Sequence, residues 1–348
     1  MKYRSRFPLR PTLLFLPVAL VVAYFLGPQP PKAVLSDDFP AVPASLTALN
    51  DSIITAESRI PNIKPGNRAK IVWHGDSIAR TEYVLLYLHG YSASGLEGEP
   101  VTTDFAGRFG MNLYTPRLCD HGLATDEPLL NMTAECLWES AKNALAVAER
   151  LGDKVIVMST STGGTLALYL AAVFPEKIDA LVNVSPNILP ANFGITLLDG
   201  PWGLQIARAV MGGRYMPVDS SSFHPEAWSE GARLESVVQL QRLVSATMTR
   251  HTFERVTAPC LTLAYYKDED HQDETVRVSE IRKMYAELGT PADEKAYVEL
   301  PGVGVHPMAC GIVSKDIPSV EREIFSFSEK TLGMKPVEDQ KSISDGDM

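Results

Sequence analysis

Lys154 to Leu168 reads KVIVMSTSTGGTLAL and limits the folds open to this chain more than any other stretch. It opens on β-branched Val155, Ile156 and Val157, crosses Ser159-Thr160-Ser161-Thr162-Gly163-Gly164, and leaves as an apolar helix-forming segment. A strand that becomes a helix through small residues alone makes a turn too sharp for bulky flanking side chains, and its central residue is pushed out at the top of the sheet. Here that residue is Ser161. The pattern G-x-S-x-G is met as S-T-S-T-G, with Ser159 in the first glycine's place. A phosphate-cradling loop is disfavoured, because its G-x-x-x-x-G-K-[ST] spacing and lysine are absent. A small-residue turn without chemistry stays open on this stretch alone.

The surrounding chain alternates. Strands are expected at 69–73, 83–88, 111–116, 178–184, 260–266 and 295–300, and helices at 133–151, near 276–288 and around 317–332. Gly152 stops the first of these helices. Such alternation implies a mostly parallel α/β sheet covered on both faces. Residues 188–256 interrupt it with Gly, Pro, Trp and Phe and then a helical pattern around 231–246, and read as an inserted cap. Ser45 is expected to cap a structural helix with Leu46, Leu49, Ile53 and Ile60 on one face.

A serine hydroxyl needs a base within hydrogen-bond reach, and that base needs an orienting carboxylate. In a sheet of this kind the chain order is serine, acid, histidine. His306, in Gly302-Val303-Gly304-Val305-His306-Pro307, is the one histidine after the last strand and is the expected base. The acid belongs in the crowded loop Asp268, Glu269, Asp270, Asp273, Glu274. Asp273 is chosen, since it precedes the next helix and Val276 can pin the loop; Asp270 is the runner-up. His271 reads as surface. Charge developing on an acyl oxygen needs preorganised N–H donors. Thr162, at a helix N-terminus, and Tyr91, in the loop His89-Gly90-Tyr91, are placed to supply them. His89 reads as a loop anchor.

These residues give the chain its resemblance to α/β-hydrolase-fold serine hydrolases of the carboxylesterase and monoglyceride-lipase type. The likeness spans roughly 68–332. It rests on His89-Gly90-Tyr91, on Pro116-Arg117-Leu118-Cys119-Asp120-His121-Gly122 (similar to a D-x-R-G-H-G loop), on the elbow, and on Asp273 and His306. The resemblance implies an α/β-hydrolase fold and hydrolysis of an ester, thioester or amide through an acyl-enzyme, with no metal and no cofactor. Carbon–carbon bond hydrolysis, peptidase or acyltransferase chemistry uses the same residues and stays open, as does a catalytically silent binding protein. Cap residues Phe193, Leu197, Leu198, Trp202, Phe223 and Trp228 suggest an apolar wall and an apolar acyl group, or else simply the cap's own core.

The rest bounds location and partners. Residues 1–27 carry Lys2, Arg4, Arg6 and Arg10 and no acid, so the whole-chain net charge of −10 leaves −14 on the remainder. An acidic body without a basic stripe disfavours nucleic acid. Basic residues followed by an apolar run over 11–27 resemble an export signal or a short membrane anchor. An uncleaved anchor is favoured over a cleaved signal, with the body facing outward. Residues 28–44, rich in proline, read as a semi-extended spacer. The tail from 334 reads as disordered. Cys119, Cys136, Cys260 and Cys310 show no C-x-x-C spacing. Four buried free thiols are favoured, with Cys119–Cys136 the one pair worth testing as a disulfide.

Overall fold

Strand runs that are apolar at every position, and not at alternate ones, belong to a sheet buried on both faces. The computed structural model, which describes residues 12–216 and 224–337, has that arrangement. Its elements in chain order are α1 (Thr12–Phe25), α2 (Leu46–Ser58), β1 (Lys70–Val72), β2 (Thr81–Leu88), α3 (Val101–Arg108), β3 (Asn112–Thr115), α4 (Ala134–Leu151), β4 (Gly152–Thr160) and α5 (Thr162–Val173). Then follow β5 (Ala180–Val184), α6 (Gly203–Met211), α7 (Leu234–Thr247), α8 (Arg250–Arg255), β6 (Cys260–Ala264), β7 (Tyr266–Asp268), β8 (His271–Gln272), α9 (Val278–Glu287), β9 (Lys295–Glu299) and α10 (Ile317–Lys330). The main sheet runs β1-β3-β2-β4-β5-β6-β9. Only β1 is antiparallel to its neighbour. In β2, Val84, Leu86 and Leu88 join the core beneath α4, α5 and α9, while Leu85 and Tyr87 join that beneath α3 and α10. The expected ends of strands and helices shift by at most three residues; the expected 260–266 strand ends at Ala264 and is followed by the small β7–β8 hairpin.

Three expectations are corrected. The proline-rich stretch is no free spacer. It straps over α4: the Trp138 indole donates to Ser36 O at 2.7 Å, Lys142 Nζ to Asp38 O at 2.7 Å and Arg242 Nε to Pro31 O at 2.6 Å. Its backbone carbonyls find buried donors on helices that sequence periodicity places but does not aim. Second, Cys119 and Cys136 form a disulfide, and only Cys260 and Cys310 are free and buried. The bond ties the loop after β3 to the first turn of α4 across a sequence separation of 17. Closing a loop of that length is worth about 3 kcal/mol. Cys136→Ser is therefore expected to lower unfolding free energy by about that amount, read by urea titration with Cys119 blocked. Third, the cap is narrower than 188–256. Leu240, Leu243 and Val244 of α7 and Phe253 of α8 belong to the main core, and the cap's own core is Leu198, Ala207, Leu234, Val237 and Val238.

The apolar N-terminal run forms α1 over Thr12–Phe25 only, and among the described residues no helix is long and apolar enough to cross a membrane. Ser45 caps α2 as expected. At the far end of α2, Glu57 is buried against Arg117, whose Nε lies 3.1 Å from Oε2 and whose second guanidinium nitrogen lies 3.2 Å from Oε1. This forked pair fixes α2 on the loop after β3. Phe223 and the residues from 338 onward lie outside the described residues.

Candidate active site

At the end of β4 the chain turns within one residue. Ser161 has φ 55° and ψ −116°, a strained conformation for a non-glycine residue. The turn is possible only because Gly163 lacks a side chain: a Cβ there would stand 1.9 Å from Leu88 O. Ser159, where the pattern has glycine, is accommodated because its hydroxyl donates to Asn183 Oδ1 at 2.9 Å inside the sheet. Asn187 N–H donates to Ser161 O at 2.9 Å, tying the β5 loop to the elbow.

The loop after β2 faces this elbow. His89 is fully buried, contacts Gly90 O through Nδ1 at 2.9 Å, and accepts Leu118 N–H at Nε2 at 3.2 Å. That acceptor role places the imidazole proton on Nδ1. Burial, with His121 adding to it, pushes its pKa down to about 3, so the ring is neutral and acts as the expected loop anchor. The Tyr91 hydroxyl lies 2.6 Å from Ser236 Oγ of α7. Among the described residues the Tyr91 amide has no backbone acceptor, and Thr162 is the first residue of α5, whose amide lacks an intrahelical partner.

Beyond β8, Asp273 is buried. Its Oδ1 accepts Thr275 N–H at 2.9 Å and Val276 N–H at 3.0 Å, and its Oδ2 lies 2.6 Å from His306 Nδ1. Burial by itself would raise the carboxyl, but the His306 charge and these bonds outweigh it and hold Asp273 below the usual aspartate range. Burial would likewise lower His306, yet Asp273 and, beyond it, Glu97 raise it overall. His306 Nε2 is buried and has no partner among the described residues. Asp270 is exposed and does not meet His306, and His271 pairs with Asp268 at the surface.

One cavity of about 350 Å³ gathers Tyr91, Ser161, Thr162 and His306. Its volume is near the lower end of small-molecule sites, roughly 300–1,000 Å³. The apolar wall is Pro190, Ile195, Met216, Val237 and Leu240. Of the aromatic and leucine residues expected there, only Trp228 among the described ones contributes. Phe193 and Leu197 are exposed, Leu198 sits in the cap core, and Trp202 donates through its indole to Ala23 O at 2.9 Å. A second cleft, bearing Asp270 and Glu274, shares Trp228 and His306 with the cavity. Sequence reasoning missed Glu97, buried in the cavity wall. The available signal was an acid seven residues past Gly90, the first charge in the loop that follows His89-Gly90.

A profile of the Alpha/beta hydrolase family matches residues 71–310. No curated protein matches the sequence. In fold the chain is similar to a structure from the study of LipS and LipT, metagenome-derived lipolytic enzymes, with 18% identity and a TM-score of 0.62 over 77% of this chain and 100% of that one. It is similar to the Paleococcus ferrophilus monoacylglycerol lipase, with 16% identity and a TM-score of 0.54 over 75% and 98%. Est1E from Butyrivibrio proteoclasticus, with ferulic acid bound, gives 17% identity and a TM-score of 0.51 over 76% and 95%. The strand order, the elbow at Ser161 and the family match over most of the chain lead to one conclusion: this protein belongs to the alpha/beta hydrolase family.

Proposed function

We propose that this chain is a serine hydrolase of carboxylic esters with apolar acyl groups. The observation that carries the reading is a single apolar-walled cavity reached by both Ser161 and His306, with Asp273 on the far side of the imidazole. Ser161 Oγ attacks the ester carbon and His306 Nε2 takes its proton. Asp273 holds Nδ1–H and so leaves Nε2 as the acceptor. The carbonyl oxygen gains negative charge between the Tyr91 and Thr162 amides. His306 then protonates the departing alcohol, leaving an acyl-Ser161 ester. Water attacks that ester by the same route in reverse, with His306 again as base.

A fluorophosphonate probe together with p-nitrophenyl esters of graded chain length tests this. Labelling and turnover are expected, with short and medium chains favoured by the size of the cavity. A folded wild type that neither labels nor turns over any ester overturns the reading. Turnover of amides or of carbon–carbon bonds in place of esters would move it to the sister chemistries.

Trp228 shapes the mouth and is held from outside the cap. Lys64 Nζ donates to Trp228 O at 2.7 Å and to Pro225 O at 3.0 Å. Lys64→Met removes both bonds, each worth about 1.5–3 kcal/mol for a charged donor where the site is buried and less in this half-exposed one. KM for the preferred ester should rise several-fold with kcat nearly unchanged, as measured by steady-state kinetics. The basic-then-apolar N-terminus and the Cys119–Cys136 bond support a location outside the cytoplasm, either attached to the envelope or exported. Fractionation with an alkylation assay for the two thiols checks that assignment.

A further inference from the structure

Glu97 has no part in the reaction just described, yet it lines the same cavity as Ser161 and His306. It sits in the one-turn helix Gly95–Gly98 that follows the His89-Gly90-Tyr91 loop. Its exposure is 2%, which for an ionisable side chain demands compensation. Oε2 accepts Gly90 N–H at 2.6 Å and the Tyr87 hydroxyl at 3.3 Å. The packing is close enough that a Cβ on Gly90 would lie 2.9 Å from Glu97 Oε1 and 3.2 Å from Ser161 Cβ. The carboxylate therefore stands directly behind the backbone that presents the Tyr91 amide, one residue's width from the nucleophile.

We propose that Glu97 is a positioning residue of the acyl-transfer site: its carboxylate locks the Tyr91 loop through the Gly90 amide and acts as a second negative charge, besides Asp273, on the His306 imidazole. The inference rests on the serine-hydrolase reading. The first half is geometric. Gly90 N–H is consumed by Glu97, so that amide cannot turn toward the site, and the next amide in the chain, that of Tyr91, is left to serve. The second half is electrostatic. The interior screens poorly, so a charge in the same cavity is felt across more than one contact distance.

The groups facing Glu97 are few. Tyr87 comes from β2 and His306 from the loop after β9. Cys310, from the same loop, is pushed upward by burial and by Glu97. Trp228 supplies the polar edge of the cap, and Glu226 beyond it acts on Cys310. None of these carries a permanent positive charge. Among the described residues, His306 is thus the one group acting on the carboxylate that can become a cation. Burial raises Glu97 to about 7, and the Gly90 bond and His306 only partly offset it.

The sign follows. With Glu97 ionised, the His306 cation is favoured, so the free enzyme needs a higher pH to supply a neutral base. Glu97→Gln keeps an acceptor for Gly90 N–H but removes the charge. Its kcat/KM acid limb is expected to move to lower pH by half a pH unit or more, with maximal kcat reduced several-fold. Glu97→Asp keeps the charge but cannot reach Gly90 equally well, so it should slow turnover while leaving the limb near the wild-type position. A residue that merely filled space would change rates in both variants and move the limb in neither. An acid limb in Glu97→Gln that coincides with wild type overturns the proposal. Should that variant fail to fold, the wild type still decides. The His306 ring nitrogens, followed by NMR against pH, should titrate in two steps, and a single-proton curve overturns the proposal. A wild type that fluorophosphonate does not label on Ser161 would instead overturn the hydrolase reading itself.

Discussion

Ser161→Ala is expected to abolish fluorophosphonate labelling and to cut kcat by about 10⁶, while KM and thermal stability stay close to wild type. The magnitude comes from what is lost. Without a nucleophile no acyl-enzyme forms, and the remaining groups can only assist direct attack by water. In serine hydrolases a triad knock-out of this kind costs on the order of 10⁶ in kcat, with residual catalysis from the donor amides and substrate positioning. The variant should fold well for a local reason. Ser161 makes its structural bonds through backbone atoms, its N–H to Val184 O at 3.1 Å and its carbonyl to the Gly164, Thr165 and Asn187 amides. Among the described residues, no hydrogen bond from its hydroxyl holds the turn. Alanine keeps the same backbone strain, so little stability changes. A folded alanine variant that still labels, or that retains more than a thousandth of wild-type turnover, would remove Ser161 from the role of nucleophile.

The elbow and the Asp273–His306 pairing were legible because each rests on a local or topological constraint. Small residues between a β-branched run and a helix leave few backbone paths, and Gly163 against Leu88 O is the physical form of that constraint. His306 could be singled out because chain order leaves one histidine after the last strand. Asp273 could be preferred over Asp270 because it precedes the next helix and Val276 can pin its loop; in the structure the Thr275 and Val276 amides donate to its Oδ1. The cavity wall was not legible in the same way. Phe193, Leu197 and Trp202 are large and apolar, but which face of a cap element looks inward depends on how the cap docks. Ile195, Val237 and Leu240 line the cavity instead. The strap over α4 was missed because its bonds run from its carbonyls to donors more than a hundred residues away, and no spacing within the segment encodes them. Free thiols were favoured over the one candidate pair, Cys119–Cys136, for a related reason: the bond depends on where the loop after β3 lands relative to α4. Glu97 was hidden in plain view, since an acid in a polar loop reads as surface unless its burial is known.

Asp273→Asn is the second large effect, and it carries a pH signature. The change keeps shape and burial but replaces an acceptor at 2.6 Å from His306 Nδ1 by an amide that can donate there. The imidazole can then hold its proton on Nε2, the wrong tautomer for accepting from Ser161. The loss of support for the imidazolium adds to this, and kcat should fall by about 10⁴. The acid limb should move as well. Asp273 is the main influence that lifts His306 above its ordinary value against burial, so its removal lets burial prevail and the limb shifts to lower pH. Stability follows the same pair in two windows. Asp273 is held low in the fold, so its contribution is present above the unfolded aspartate range and is lost as pH falls through the lower folded value. His306 is held high, so its contribution is complete below its unfolded value and is lost as pH rises through the higher folded one. In Asp273→Asn the aspartate window should vanish and the alkaline loss should disappear, with burial of His306 now costing stability as pH falls, which paired urea titrations at acid, neutral and mildly alkaline pH would measure. A variant with a 10⁴-fold slower kcat but an unmoved limb would mean that Asp273 orients the ring without charging it. A variant with near-normal kcat would remove Asp273 from the role of orienting acid.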